Sequence, residues 1–170
     1  MTRYAVTVDA GLRDLRAADH LLRTLAAELA LPQGVFGCTH LVRGERPRVV
    51  VSLAVEEETV AADVRERLAA QGHEVADGVP DPVGRAVLYP GADVLRGTMT
   101  IAEVLSASAI DRVTVLGAAG RPAPEARLTT REHVRPQWQD GQLVLTAMPA
   151  VGGTLVPFEV PDPTPCCADH

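Results

Sequence analysis

The sequence predicts an α+β protein made of two unequal halves and an extended tail. Three observations carry this. Apolar periodicity over residues 1–77 alternates between strand-like and helix-like spacing, in the order strand, helix, strand, strand, helix, strand. A Gly/Pro-rich stretch interrupts the chain at residues 78–84. Prolines 161, 163 and 165 then stiffen the final ten residues. The order in the first stretch is that of the split βαβ, or ferredoxin-like (βαββαβ), arrangement. Residues 78–84 read as a linker. Residues 85–160 read as a smaller mixed α/β half with a C-terminal hairpin, packed against the first. Residues 161–170 read as an extended Pro/Cys/His tail.

Each element has its own signal. Residues 3–8 alternate and are rich in β-formers, which predicts a first strand. Leu15, Ala18, Leu22, Leu25 and Leu29 recur at spacings of three and four, and Pro32 and Gly34 close the helix they predict. Residues 35–42 and 48–55 are Val-rich runs joined by Arg43-Gly44-Glu45-Arg46-Pro47, which predicts a hairpin. Glu56, Glu57 and Glu58 precede Val60, Ala61, Val64 and Leu68, so acids fall where the positive end of a helix dipole wants them. Gly72 ends that helix, and residues 73–76 form a short strand.

The second half is less regular. Residues 85–89 and 112–116 read as strands, and residues 126–130 as extended. Thr100-Ile101-Ala102-Glu103 has the spacing of a capping box ahead of a short helix. Residues 142–148 and 154–160 flank Pro149-Ala150-Val151-Gly152-Gly153 and predict a second hairpin. Trp138 precedes the first of these runs through an Asp140-Gly141 turn, where it plugs the core or the join between halves.

Composition narrows the function. The chain has 170 residues, 46% hydrophobic and 22% charged, which is enough for a substantial core. Every one of its 16 basic residues is arginine. The missing lysine removes Schiff-base and P-loop lysine chemistry. A net charge of −6 and few aromatic residues argue against nucleic acid as a partner. The N-terminal stretch does not read as a signal peptide, and no run approaches the roughly 18–20 apolar residues that span a bilayer. The expectation is a cytoplasmic protein with no membrane partner, whose cysteines are free thiols or ligands and not a disulfide framework.

The conspicuous chemistry lies at Cys166, Cys167 and His170. Two thiolates and an imidazole are the donors that zinc and copper(I) prefer. A closed zinc site needs four ligands, so a further donor has to come from elsewhere. Cys38 and His40 sit two apart on a predicted strand and share a face, roughly 6–7 Å from one another. The tail is therefore expected to fold over that strand and complete a site from Cys38, His40, Cys166, Cys167 and His170. Each of these has a plainer reading as well: Cys38 as a buried hydrophobe, His40 as a hydrogen-bonded core ring, and the tail as a frayed terminus.

Other chemistries are poorly served. Gly117-Ala118-Ala119-Gly120 follows a strand, but Arg121, Pro122 and Pro124 leave no helix N-terminus behind it to hold a phosphate. Copper-chaperone domains of the ferredoxin-like type carry Cys-x-x-Cys after the first strand, and the loop here, Asp9-Ala10-Gly11-Leu12, holds no thiol. Cys38 paired with His133 would make a nucleophilic dyad, without a local signature around either. The sequence thus points away from an enzyme, and towards a metal-binding (zinc before copper) or regulatory protein. The alternatives are a protein-interaction or assembly subunit, a homo-oligomer through the sheet with no metal, and a small thiol- or metal-dependent enzyme.

Overall fold

A computed structural model describes residues 3–161. The first six elements are β1 (Tyr4–Leu12), α1 (Leu15–Glu28), β2 (Phe36–Val42), β3 (Arg48–Val55), α2 (Glu58–Ala70) and β4 (Glu74–Asp77). Their strands lie in the order β4-β1-β3-β2, all neighbours antiparallel. The sheet does not stop there. β2 bonds to β5 (Arg85–Leu88) along its other edge, pairing Cys38 with Ala86 and Thr39 with Arg85.

From β5 the sheet runs on through β9 (Gln137–Gln139) to β10 (Gln142–Pro149), β11 (Leu155–Pro157), β8 (Arg127–Thr129) and β6 (Thr98–Thr100). β7 (Arg112–Val115) lies parallel to β10, off the main path. Because β7 pairs with residues 144–147 of β10, β9 and β11 must share the opposite edge of that strand.

This corrects the predicted fold class. There is no ferredoxin-like half packed against a separate, smaller α/β half. A single eleven-stranded mixed sheet spans the described chain, with three α-helices, α3 (Ile101–Ala107) being the third. The physical cause is the β2–β5 pairing. β2 is buried over five consecutive residues, so neither its faces nor its second edge is left to solvent. A register between strands so far apart in sequence has no local signature.

Local chemistry explains the rest. α1 starts at Asp14, whose carboxylate accepts from the Ala17 amide at 2.8 Å. α3 closes its capping box in both directions: the Glu103 amide donates to Thr100 Oγ1 at 3.2 Å, and the Thr100 amide donates to Glu103 Oε2 at 2.7 Å. β9 and β10 form a hairpin through Asp140 and Gly141, both at positive φ, as a two-residue primed turn requires.

The sheet has a core on each side. Ala18, Leu22, Leu25 and Leu29 of α1 and Ala61, Val64 and Leu68 of α2 pack on Val6, Val8, Val49, Val51, Leu53 and Val55. Each fully buried leucine contributes about 1.5–3 kcal/mol of transfer free energy. Phe36 and Cys38 of β2 belong to the second core, with Ala86, Tyr89, Val104, Val113, Leu128 and Leu143. Among the described residues, no helix is long and apolar enough to cross a membrane.

Candidate ligand-binding site

The unusual chemistry of the described chain is a group of charges buried where α1, β2, β5 and the segment after β11 meet. α1 carries Asp19 beside the apolar stripe that seats the helix, and Asp19 is only 6% exposed. Arg85 opens β5, an otherwise apolar strand, and is also buried. Its Nη1 donates to Asp19 Oδ1 at 2.6 Å and its Nη2 to Asp19 Oδ2 at 3.2 Å. On its other side, Nε and Nη2 donate to Glu159 at 2.8 and 2.5 Å. Nη1 also donates to Thr39 Oγ1 of β2 at 3.3 Å. All five guanidinium N–H groups of Arg85 are thereby used.

Two further residues join this group. Arg135 Nε donates to Asp19 Oδ2 at 3.2 Å, and its Nη1 to the Val134 carbonyl at 3.3 Å. His133 Nε2 lies 2.9 Å from Glu159 Oε1. The chain delivers both residues through a turn at Arg131 and Glu132, which adopt φ of 53° and 54°. Left-handed backbone costs a side-chain-bearing residue roughly 1–2 kcal/mol. Strain of this kind gathers where a fold must aim particular groups.

The electrostatics follow from burial against pairing. Burial alone would raise the Asp19 carboxyl, but the hydrogen bonds and charges of Arg85 and Arg135 hold it below its ordinary value. Burial likewise acts to raise Glu159, and Arg85 and His133 bring it below its ordinary value. Arg85 is pushed upward, its two carboxylates outweighing its desolvation. Arg135 goes the other way. Burial lowers it, Asp19 opposes this, and the like charges of Arg85 and Arg23 add to the lowering.

A cavity of about 1130 Å³ opens beside these charges. Arg13, Arg16, Arg23, Arg85 and Arg135 line it, with His133, against Asp14, Asp19 and Glu159. Leu15, Leu41, Val49, Val160 and Pro161 supply apolar wall. Arg16, Asp19 and Arg23 are spaced three and four apart, so α1 turns all three towards one side. A site of this size with a few convergent polar groups suits a small organic molecule.

The residues singled out in sequence lie elsewhere. Cys38 and His40 do sit together on β2, under Gly84: a Cβ built there would stand 3.0 Å from both Cys38 Cβ and His40 Cε1. Both are sealed, at 4% and 3% exposure. Burial pushes the Cys38 thiol up to about 12, with the Trp138 indole opposing it in part. Burial lowers the His40 ring, the charge of Asp81 opposing it, and His40 Nε2 bonds with Ser52 Oγ at 2.7 Å. Cys166, Cys167 and His170 lie outside the described residues. Among the described residues, no three His, Cys, Asp or Glu side chains are grouped to hold a metal ion.

His133 lies in the second candidate pairing, with Cys38, but the hydrogen bond it makes is to Glu159. Trp138 of β9 packs across β5 against Phe36 of β2, the two rings 5.2 Å apart, with the Arg3 guanidinium 4.1 Å over the Phe36 ring. Sequence reasoning missed Asp19, Arg85, Arg135 and Glu159. The signal available was an acid adjoining an amphipathic helix's apolar stripe and an arginine heading an apolar strand. No protein-family model matches this chain, and neither the curated proteins nor the solved structures contain a match to it.

Proposed function

We propose that the protein binds a small anionic molecule in the cavity beside α1. The observation that carries this reading is the convergence of five arginines on one cavity in a chain whose net charge is −6. Arg85 is saturated by Asp19 and Glu159 and forms a fixed floor. Arg13, Arg16 and Arg23 are exposed and, among the described residues, have no carboxylate within ion-pair distance. The site therefore offers a fixed polar floor, a cationic rim and an apolar wall. An organic acid or phosphate ester with a hydrocarbon portion fits that combination.

Calorimetric titration with a panel of organic acids and phosphate esters tests it. Saturable binding that weakens with added salt is expected, and so is weaker binding in Arg16→Ala. A panel without saturable binding at millimolar concentration would refute the reading.

The clustering of Cys166, Cys167 and His170 supports a second, separate proposal, a zinc or copper site carried by the terminus. Elemental analysis of untagged protein tests it. Stoichiometric metal that is lost in Cys166→Ser/Cys167→Ser supports the site, and substoichiometric metal unchanged by those substitutions overturns it.

A further inference from the structure

We infer that Arg23 and Arg135 together form the oxyanion subsite of this cavity, gripping the carboxylate or phosphate of the ligand between them. The inference rests on the proposed anion binding and gives it a place. Arg23 and Arg135 are the two residues shared between the large cavity and an adjoining one of about 350 Å³. Arg135 also lines a third, of about 310 Å³. Its guanidinium is thus the partition at which these spaces meet.

The partition is short of negative charge. Asp19 is the carboxylate that Arg135 touches, and Arg85 already occupies both of its oxygens. Arg135 Nη2 makes no hydrogen bond among the described residues, although the side chain is only 7% exposed. That nitrogen is not sealed from solvent, so its donor is free to meet an acceptor that enters the cavity. Arg23 faces it from α1 and has no carboxylate within ion-pair distance among the described residues. Asp93 and Glu132 also line the smaller cavity, and neither forms an ion pair with Arg23 or Arg135.

Two like charges held across a gap, one with a donor to spare, are what a bound oxyanion neutralises. A guanidinium fork meets two oxygens of such a group at once, which a lysine ammonium does not. The turn at Arg131 and Glu132 delivers Arg135 to this place.

The test uses the full chain titrated with inorganic phosphate and, separately, with glutarate. The two arms distinguish a phosphate from a carboxylate preference. Arg23→Ala is at the surface, so its fold is expected to survive, and affinity for the preferred probe should fall roughly tenfold. Arg135→Lys keeps the charge but not the fork, and should fall by a similar factor. Arg65→Ala, whose partner is Asp77, is the control and should leave affinity unchanged. If wild-type protein binds a probe and both arginine variants bind it equally well, the subsite is wrong while the cavity reading stands. If neither probe binds wild-type protein, the subsite is overturned; if the wider panel also fails, so is the cavity reading.

Discussion

Replacing Asp19 by Asn leaves two guanidiniums buried without the carboxylate they share. Asp19 accepts two hydrogen bonds from Arg85 and one from Arg135, and the side chains of all three are at most 10% exposed. Removing one partner of a buried ion pair costs about 3–5 kcal/mol, because the surviving charge keeps its desolvation and loses its compensation. The amide of asparagine still accepts at one oxygen, so the lower end of that range applies, about 3 kcal/mol. For a domain of this size each kcal/mol moves Tm by about 2–4 °C, so Tm should fall by about 6–12 °C. Thermal unfolding followed by circular dichroism measures this, with urea titration giving the free energy. Asp63→Asn is the matched comparison. Asp63 pairs with Arg67 at 3.6 Å on the exposed face of α2, and such pairs contribute only about 0.3–0.5 kcal/mol. If the two variants melt within about 2 °C of one another, the buried cluster is not the energetic feature argued for it.

Asp19 and Glu159 also set the acid limb of stability. Both titrate below their ordinary values of 3.8 and 4.5 in the fold, so the unfolded chain takes up protons first as pH falls. Their stabilisation is complete above that range and disappears as pH drops through the folded values; Glu159→Gln should flatten this decline in acid urea titrations. In Cys166→Ser/Cys167→Ser, Cys38 is the remaining thiol, buried and pushed up to about 12. It should resist a thiol reagent at pH 8 until denaturant is added, and rapid labelling of native protein would contradict the sealed packing. Gly91→Ala should destabilise by at least about 1–2 kcal/mol from its positive φ alone. The added Cβ would also stand 2.1 Å from the Ala107 carbonyl oxygen, so a wild-type Tm in this variant would refute the geometry around α3.

Elements with local causes were legible from sequence, and joins between distant segments were not. The Leu stripe of α1, the capping box at Thr100 and Glu103, and the Asp140-Gly141 turn each depend on residues a few positions apart, and each lies where its pattern implies. The pairing of Thr39 with Arg85 depends on no local pattern, so in sequence one continuous sheet has the pattern of two halves. β6 and β9 have three residues apiece, too short for alternation to register. The charged site failed for the same reason. Asp19 and Arg85 stand 66 positions apart, Arg85 and Glu159 74, and Asp19 and Arg135 116. What sequence did offer was proximity in the chain, and it drew attention to Cys38 and His40, which share a strand face but lie sealed beneath Gly84.

The two-sided pairing of β2 bears on how the chain is made. Its hairpin with β3 closes within residues 36–55, as soon as that stretch leaves the ribosome. Its other edge then stands open, a row of free amides and carbonyls beside apolar side chains, which is the form most inclined to recruit a strand from another molecule. Protection arrives with Arg85–Leu88, after residues 56–84, a stretch that holds α2 and β4. The length of that stretch sets how long a nascent chain is at risk. Lengthening it should lower soluble yield before it lowers the melting temperature of the protein that does fold.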